Sequence, residues 1–288
     1  MKITAVVVLY NPGNDLAQNI GTYIHHVDEL VLWDNTPQGS REKLALSGVA
    51  DSHKISYLGS GSNEGIGSAL NAAISVASAN GSTHLLTMDQ DSSFSKDDFE
   101  SYLKAILDFG ADNEVIFSTN YFIKSQQSTL YPVEDSVDRV SSCMTSGSIY
   151  PLTVFEKLGR FREDLFVWGI DCEFSWRASR RGIPTVCFKN FLLQHDLGYQ
   201  KKKHKLLGKE VFPNEYSPDR SYYNVRNGMV LHALYPENIN IKAHLRYHFY
   251  KRIVFILLYE NQKFAKWKAL WDGYKDGLAG MLGKRRTI

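Results

Sequence analysis

Four short apolar runs rich in β-branched residues, 3–10, 29–33, 54–58 and 84–88, begin roughly 26 residues apart and are separated by stretches of helix-compatible composition. That rhythm predicts parallel strands joined by crossover helices. The result is an α/β sheet covered on both faces, with ligands gathering outside the carboxyl ends of its strands. The strongest helix pattern is 65–79, where Ala69, Leu70, Ala73, Ile74, Val76 and Ala77 form an apolar stripe, with Asn63 placed to cap it and Gly81 to stop it. A second helix follows from Ser95 as N-cap. Asp97 and Asp98 stand in its first turn, and Phe99, Tyr102, Leu103, Ile106 and Leu107 repeat at helical spacing up to Gly110. Residues 111–150 read as shorter strands and turns, Pro151 suits the first position of a helix ending at Gly159, and another helix fits 171–181. Beyond about 238 the pattern is helical: Phe264, Trp267, Trp271, Tyr274 and Leu278 step by threes and fours. One domain over 1–230 and a helical extension over 231–288 is the organisation this implies.

Composition and chain features add further constraints. With 288 residues, 43% hydrophobic and 22% charged, the chain can bury one substantial core. Its net charge of +2 conceals an asymmetry, because residues 239–288 hold eleven Lys/Arg against three Asp/Glu, leaving the rest acidic. Cys143, Cys172 and Cys187 are odd in number and widely spaced, which fits no disulfide framework or zinc site and suits a reducing compartment. Residues 1–4 run straight into a strand without a signal-peptide cleavage pattern, so a cytoplasmic location is expected. The longest apolar run, 253–259, is far short of the roughly 20 residues that span a bilayer.

Candidate chemistry clusters at the expected strand ends. Asp89 and Asp91 of Asp89-Gln90-Asp91 follow the run 84–88, and in extended backbone residues i and i+2 point to one side. Two converging carboxylates suit Mg²⁺ or Mn²⁺, which share their remaining coordination with substrate phosphates. A solvated turn is the competing reading, and position rather than composition favours metal binding. His195, in His195-Asp196-Leu197-Gly198, follows the apolar run 188–193, where its imidazole either completes the metal shell or touches the diphosphate, the competing reading being a structural histidine. Trp33-Asp34-Asn35 ends the second strand, where Asp34 either accepts from the imide N–H of a uracil or thymine base, with the Trp33 aromatic packed nearby, or caps a turn. The glycine-rich stretch 59–67 offers backbone N–H groups near a nucleotide, though it stands in the wrong turn for a dinucleotide fingerprint.

Asp171 and Glu173 start a helix after Phe166-Val167-Trp168-Gly169, where the helix dipole keeps a carboxylate ionised. Such a group is either a general base or a helix-start residue. Arg220, Tyr222, Tyr223, Arg226 and Asn227 form a basic and aromatic cluster that reads as a phosphate clamp or as a solvated helix face.

In order along the chain these segments resemble the family 2 glycosyltransferases of the GT-A (nucleotide-diphospho-sugar transferase) fold, over about residues 2–230. The likeness is carried by Val6-Val7-Val8-Leu9-Tyr10-Asn11, Asp34-Asn35, Asn63-Glu64-Gly65 leading to Asn71, Asp89-Gln90-Asp91, Ser146-Gly147-Ser148, and Gly169-Ile170-Asp171 with Arg177. The resemblance implies a Rossmann-like mixed sheet with a C-terminal helical extension, a divalent metal (Mg²⁺ or Mn²⁺) on the acidic triplet, and Asp171 as catalytic base. Ile170 stands where the family commonly has Glu, a change that leaves the base itself in place. On this reading Tyr10, Asn11, Asp34, Asn63, Gly65, Asn71, Asp89, Gln90 and Arg226 bind the donor. Asp89, Asp91 and His195 hold the metal, and Ser146, Gly147, Trp168 and Glu173 wall the acceptor side.

A narrower likeness, to bacterial rhamnosyltransferases, rests on Met88-Asp89-Gln90-Asp91-Ser92, Thr145-Ser146-Gly147-Ser148, His195-Asp196-Leu197-Gly198 and 220–227. It implies transfer of L-rhamnose from dTDP-rhamnose to a glycan or lipid-linked glycan in cell-surface polysaccharide synthesis (O-antigen or capsule), and no nucleic-acid partner. Lys242, Arg246, Lys251, Arg252, Lys263, Lys266 and Lys268 alternate with apolar residues, as in helices lying on an anionic membrane or as in packed helices with solvated lysines. Two rival functions remain. A nucleotidyltransferase needs a basic residue in the first strand–helix turn, which 10–14 lacks, and a silent sugar-nucleotide-binding protein would bind without turnover.

Overall fold

The computed structural model describes residues 1–38, 49–95, 98–111, 113–195, 200–201, 204–206, 209–211 and 214–286. It divides into two compact units, Met1–Glu163 with Phe174–Leu197, and Asp164–Glu173 with Gly198–Ile288.

The first unit is built on a mixed sheet. In chain order it contains β1 (Ile3–Leu9), α1 (Leu16–Gly21), β2 (Glu29–Asp34), β3 (Ile55–Leu58), α2 (Ile66–Ala79), β4 (His84–Asp89), β5 (Ser93–Phe94) and α3 (Asp98–Phe109). There follow β6 (Ile116–Ile123), β7 (Ser128–Thr129), β8 (Val137–Val140), β9 (Ser148–Pro151), α4 (Leu152–Leu158), α5 (Ile170–Arg180) and β10 (Thr185–His195). Helix α5 crosses the division, its start through Glu173 being grouped with the second unit. The strands lie in the order β3-β2-β1-β4-β9-β6-β10-β5, with β7 on β6 and β8 on β10. Strands β1 to β4 are mutually parallel, β9 runs antiparallel to β4 and β6, and β10 is again parallel to β6.

The four apolar runs are the four parallel strands. Val6 and Val7 point to opposite faces of β1 and both are fully buried, as a strand covered on both sides requires. Val7 and Leu9 share a core with Leu30, Leu32, Leu86, Met88 and the α3 residues Tyr102 and Ile106. A second aromatic centre joins Tyr150, Phe155, Phe161 and Phe174 at ring distances of 4.5–5.7 Å.

Local details differ from expectation where a cap was assigned. Gly65, at φ 88°, is the N-cap of α2, and the Asn63 side chain accepts from the Gly65 N–H at 3.0 Å instead of from a helical amide. Pro151 ends β9 immediately before α4. The described part of α3 begins at Asp98, and Asp97 lies outside the described residues.

The second unit holds two short antiparallel strand pairs, β11 (Gln200–Lys201) with β14 (Asn214–Glu215) and β12 (His204–Leu206) with β13 (Lys209–Val211), followed by helices: α6 (Pro218–Leu234), α7 (Ile241–Leu245), a π-helical turn at Arg246–Tyr250, α8 (Lys251–Tyr259) and α9 (Lys263–Leu278). The Ser217 hydroxyl caps α6 by accepting from the Arg220 N–H at 3.1 Å, with Pro218 at the first helical position. Helices α6 and α9 approach so closely that a Cβ on Gly273 would stand 2.6 Å from the Tyr222 carbonyl oxygen. Val225, Phe249, Ile256 and Leu270 form the core between these helices. The expected boundary at 230 therefore falls inside α6, which the α9 contact makes part of the helical unit. Among the described residues no helix is long and apolar enough to cross a membrane.

Candidate active site

Parallel register fixes the acidic centre. Val8 of β1 pairs with Asp89 at the end of β4, and Leu9 of β1 pairs with Asp34 at the end of β2. The two residues thus flank one strand end, their backbones about 10 Å apart at the usual strand spacing. After Asp91 the chain turns into β5, which pairs antiparallel with the end of β10 through Ser93–Gln194 and Phe94–Leu193. That pairing delivers His195 to the triplet.

The imidazole Nδ1 lies 3.8 Å from an Asp91 oxygen and 4.0 Å from an Asp89 oxygen. One ligand atom from each of Asp89, Asp91 and His195 can be chosen so that all fall within 4.8 Å of one another. Donors that flank one ion at about 2.1 Å are separated by up to about twice that distance, so this spacing fits a single Mg²⁺ or Mn²⁺ after slight closure. Two carboxylates and one imidazole would leave about three of six octahedral positions for phosphate oxygens and water. His195 is buried, while Asp89 and Asp91 remain partly open to solvent.

Buried groups set the pose. Ser92, fully buried, shares a 2.9 Å hydrogen bond with His195 Nδ1. The Ser146 hydroxyl accepts from the Asp89 N–H at 3.0 Å, and the Ser146 carbonyl accepts from the Tyr121 phenol. Burial, with the Asp89 carboxylate among the lesser causes, pushes the Tyr23 and Tyr121 phenols well up, so Tyr121 stays a neutral donor. Gly147 takes φ +74°, and a Cβ there would meet Thr119 Oγ1 at 2.9 Å, so the Ser146-Gly147-Ser148 turn needs glycine. Ser146 and Gly147, expected on the acceptor wall, instead support the triplet from beneath: Ser146 is fully buried and bonded to the Asp89 backbone, and the Gly147 N–H donates to the Thr87 carbonyl at 2.8 Å.

Gln90 has a joining role. Its amide accepts from the Tyr10 N–H at 2.8 Å and donates to the Tyr10 carbonyl at 3.1 Å, imitating one more rung of the β1–β4 ladder. Its own carbonyl accepts from Asn19 at 3.0 Å. Tyr10 is exposed, and Asn11 takes φ 46° with its N–H donating to Thr36 Oγ1 at 2.9 Å.

At the second strand end, Asp34 is buried to 1% exposure, accepting from the Thr36 N–H at 2.8 Å and from the Tyr57 hydroxyl. Strand alternation sends Trp33 to the opposite face from Asp34, so the aromatic beside this carboxylate is Tyr57 rather than Trp33. Asn35 ties the next loop, donating to the Gly65 carbonyl at 3.0 Å and accepting from the Glu64 N–H at 3.3 Å. Asn71, expected at the donor, is a buried brace: it donates to the Phe161 carbonyl at 3.0 Å and to Glu163 at 2.7 Å, and accepts from the Phe161 N–H at 3.0 Å.

The remaining expected residues belong to the second unit. Asp171 opens α5 half-buried, one carboxylate oxygen accepting from the Cys172 N–H at 2.8 Å. Glu173 is buried, accepting from the Tyr235 hydroxyl at 2.8 Å, which turns it into the unit's interior instead of onto an acceptor wall. Trp168 stands at φ 48° with its ring 5.4 Å from that of His244. Arg226 corrects the phosphate-clamp reading. It is fully buried, with its guanidinium donating to Asn227 and to the carbonyls of Asp164, Leu165 and Gly283. Its ring contacts with Tyr222 and Tyr223 complete a structural pillar. Residues 196–198 lie outside the described residues.

The sequence reading gave no role to Ser92, Tyr57 or Thr36. Ser92 follows the triplet directly and was its nearest available signal, whereas Tyr57 and Thr36 show themselves only once β2, β3 and the turn after Asp34 are assembled.

Comparisons with known proteins identify the fold and the family. A curated protein of Shigella flexneri, "dTDP-rhamnosyl transferase RfbF", is 27% identical over 251 residues, 80% of this chain and 79% of that one. Among solved structures, S. aureus TarS 1–349 in complex with UDP-GlcNAc superposes with a TM-score of 0.60 at 14% identity, covering 96% of this chain and 81% of its own. GalNAc-T7 with UDP, GalNAc and Mn²⁺ gives 0.54 at 13% identity, covering 97% of this chain and 56% of its own. The mixed sheet with C-terminal helices is thus the GT-A fold. Since the model "Glycosyl transferase family 2" matches residues 4–170, more than half its length, the chain belongs to that family of glycosyltransferases.

Proposed function

We propose that this glycosyltransferase moves L-rhamnose from dTDP-rhamnose, with inversion, onto a glycan or lipid-linked glycan of a cell-surface polysaccharide. The observation that carries a nucleotide-sugar donor is the Asp89–Asp91–His195 cluster at the end of β4, with one strand between it and Asp34 at the end of β2. A divalent cation there would neutralise the diphosphate leaving group. On this reading Asp34, with Tyr57, would recognise the base, and Asp171 would deprotonate the acceptor hydroxyl as it attacks the anomeric carbon. Rhamnose rests on the similarity to RfbF. Another dTDP- or UDP-linked sugar is the second reading, favoured by the uridine nucleotides bound to the two solved relatives.

A thermal-shift panel of nucleotide sugars with Mn²⁺ tests the donor, since a ligand of the folded state raises the melting temperature with the logarithm of its concentration over its Kd. The reading expects the largest shift from dTDP-rhamnose. A larger one from a UDP-sugar would replace it, and binding without any nucleotide release would make the protein a silent binder.

The acceptor proposal extends to an anionic membrane surface. Phe264, Trp267 and Trp271 on α9 and Val254, Leu257 and Leu258 on α8 are exposed. The acids of these helices turn inward: Glu260 to Arg252 and Lys266, Asp276 to Tyr222, and Asp272 to Lys268 and Arg285. Arg252 and Lys266 are therefore buried partners, and Lys242, Arg246, Lys251 and Lys263 remain as the cations for lipid phosphates. Two identical basic faces would repel, which disfavours a second copy as the occupant. Pelleting with phosphatidylglycerol vesicles should fall several-fold in Phe264→Ser/Trp267→Ser; unchanged pelleting removes the membrane contact.

A further inference from the structure

Resting on the reading of Asp171 as the base, we infer that the C-terminal segment acts with Arg226 as a strap that positions Asp171. The loop before α5 is conformationally unfavourable: Phe166 and Trp168 take φ 66° and 48°, a left-handed region that side chains disfavour, and Gly169 follows at 87°. Such a loop keeps its shape only where its surroundings impose it.

Those surroundings are a few buried donors. Asn227 donates to the Leu165 carbonyl at 2.9 Å and to the Trp168 carbonyl at 2.8 Å, bracketing the left-handed residues. Arg226 donates to the Leu165 carbonyl at 3.0 Å and the Asp164 carbonyl at 3.3 Å, and its other terminal nitrogen donates to the carbonyl of Gly283. The Gly283 N–H returns to the Asp164 carbonyl at 2.6 Å. One fully buried guanidinium therefore ties the loop to the end of the chain.

The tail is fastened in turn. The Arg285 N–H donates to the Tyr223 hydroxyl at 2.8 Å, and its guanidinium meets Asp219 at 2.9 Å and Asp272 at 3.3 Å. The Phe166 ring stacks on Tyr223 at 5.2 Å, with the Lys284 ammonium 5.9 Å from Phe166. Downstream of the loop, the Glu173 N–H closes on the Gly169 carbonyl at 2.9 Å, so Asp171 rides on the first turn that the loop orients. Loosening the tail displaces that turn, and small misplacements of a reacting group are costly in rate.

The test compares the full chain with a chain stopped after Leu282, with Lys284→Ala/Arg285→Ala, and with Asp171→Asn. Three quantities are read: Mn²⁺-dependent release of dTDP from dTDP-rhamnose with water as acceptor, dTDP affinity by titration calorimetry, and hydrogen exchange of residues 164–173. The stopped chain should lose about 10- to 100-fold in kcat. Its donor KM and dTDP affinity should stay within about twofold, and exchange should quicken over 164–170 but not over α9. The double variant should show the same pattern more weakly, which keeps the test usable if the stopped chain fails to fold.

Wild-type kcat in the stopped chain beside an inactive Asp171→Asn overturns the strap and leaves the base reading standing. Full turnover in Asp171→Asn overturns the base reading instead. Unchanged exchange over 164–170 overturns the strap without reference to turnover, and a parallel loss of kcat, KM and dTDP affinity reduces it to ordinary stability.

Discussion

At the ends of β1, β2 and β4 the backbone ladder places the side chains, whereas around Asp171 buried side chains place the backbone. Asp34 and Asp89 stand where they do because Leu9 and Val8 pair with them in adjacent parallel ladders. Asp171 follows a loop with two left-handed non-glycine residues, Phe166 and Trp168; Arg226 and Asn227 hold the Leu165 carbonyl before them and Asn227 holds the Trp168 carbonyl. A sheet end can tolerate the loss of any one supporting bond, since its neighbours keep register. A loop held by a few buried donors has less redundancy, and its geometry is correspondingly easier to disturb.

The largest effects separate the two centres by chemistry. Asp89→Asn or Asp91→Asn should reduce donor turnover by about 10³-fold, the several kcal/mol that metal stabilisation of a leaving group supplies, and should abolish the response to added Mn²⁺. Asp171→Asn should lower turnover about 10²- to 10⁴-fold with Mn²⁺ binding and donor affinity retained. Calorimetric Mn²⁺ titrations beside kinetics distinguish the cases. A base variant that also loses Mn²⁺ would show that the two centres do not act separately.

The same contrast explains what was legible in the sequence. The apolar runs at 3–10, 29–33, 54–58 and 84–88 became β1 to β4 because both faces of these strands are covered, and a continuous apolar run is the direct signature of that burial. The carboxylates at their ends were legible for the same reason. Arg226 was misread because a fully buried guanidinium and a phosphate clamp share one composition; they differ in partners as distant as Asp164 and Gly283. Asn71 and Glu173 follow suit, their partners being Phe161 and Tyr235. Cap assignments were legible to within a residue or two, and Gly65 displaced Asn63 by taking a positive φ.

Two buried asparagines test redundancy on equal terms. Asn71→Ala removes three hydrogen bonds in the first unit, and Asn227→Ala removes the bonds to Arg226, Leu165 and Trp168 in the second. Each should cost about 1–3 kcal/mol by chemical denaturation, the range for leaving buried polar groups without partners. The comparison predicts that only Asn227→Ala also lowers kcat beyond its effect on the folded fraction. An equal loss in Asn71→Ala would break it.

Acid provides a smaller perturbation confined to the second unit. Burial, then the nearby His244 and Arg252, pushes His248 down from 6.5 to about 3, and burial also lowers His244. His248 faces His244, Tyr216 and Trp168 through its ring, with Tyr247 adjacent. A depressed folded-state value means that the unfolded chain takes up the proton first. The stability is therefore present above pH 6.5 and lost as pH falls toward 3. His248 contributes a slope of up to about 1.4 kcal/mol per pH unit in that window, and His244 adds in the same direction. Denaturation midpoints at pH 7, 6 and 5 should fall more steeply for the wild type than for His248→Gln; identical slopes would exclude the effect.

The smallest change probes whether the ladder alone holds Asp89. Its N–H points to the Ser146 hydroxyl, and Ser146→Ala removes that acceptor at a fully buried position. One neutral hydrogen bond is worth about 1 kcal/mol net, so the melting temperature should drop by a few degrees. The parallel pairing of β1 and β4 and the Gln90–Tyr10 bonds remain, so the carboxylates keep their direction and Mn²⁺ affinity should change by less than about threefold. A tenfold weaker Mn²⁺ affinity at unchanged folding would mean that Ser146, rather than the strand register, sets the metal geometry. The sheet-end centre would then depend on a single side chain, as the loop before Asp171 depends on Arg226 and Asn227.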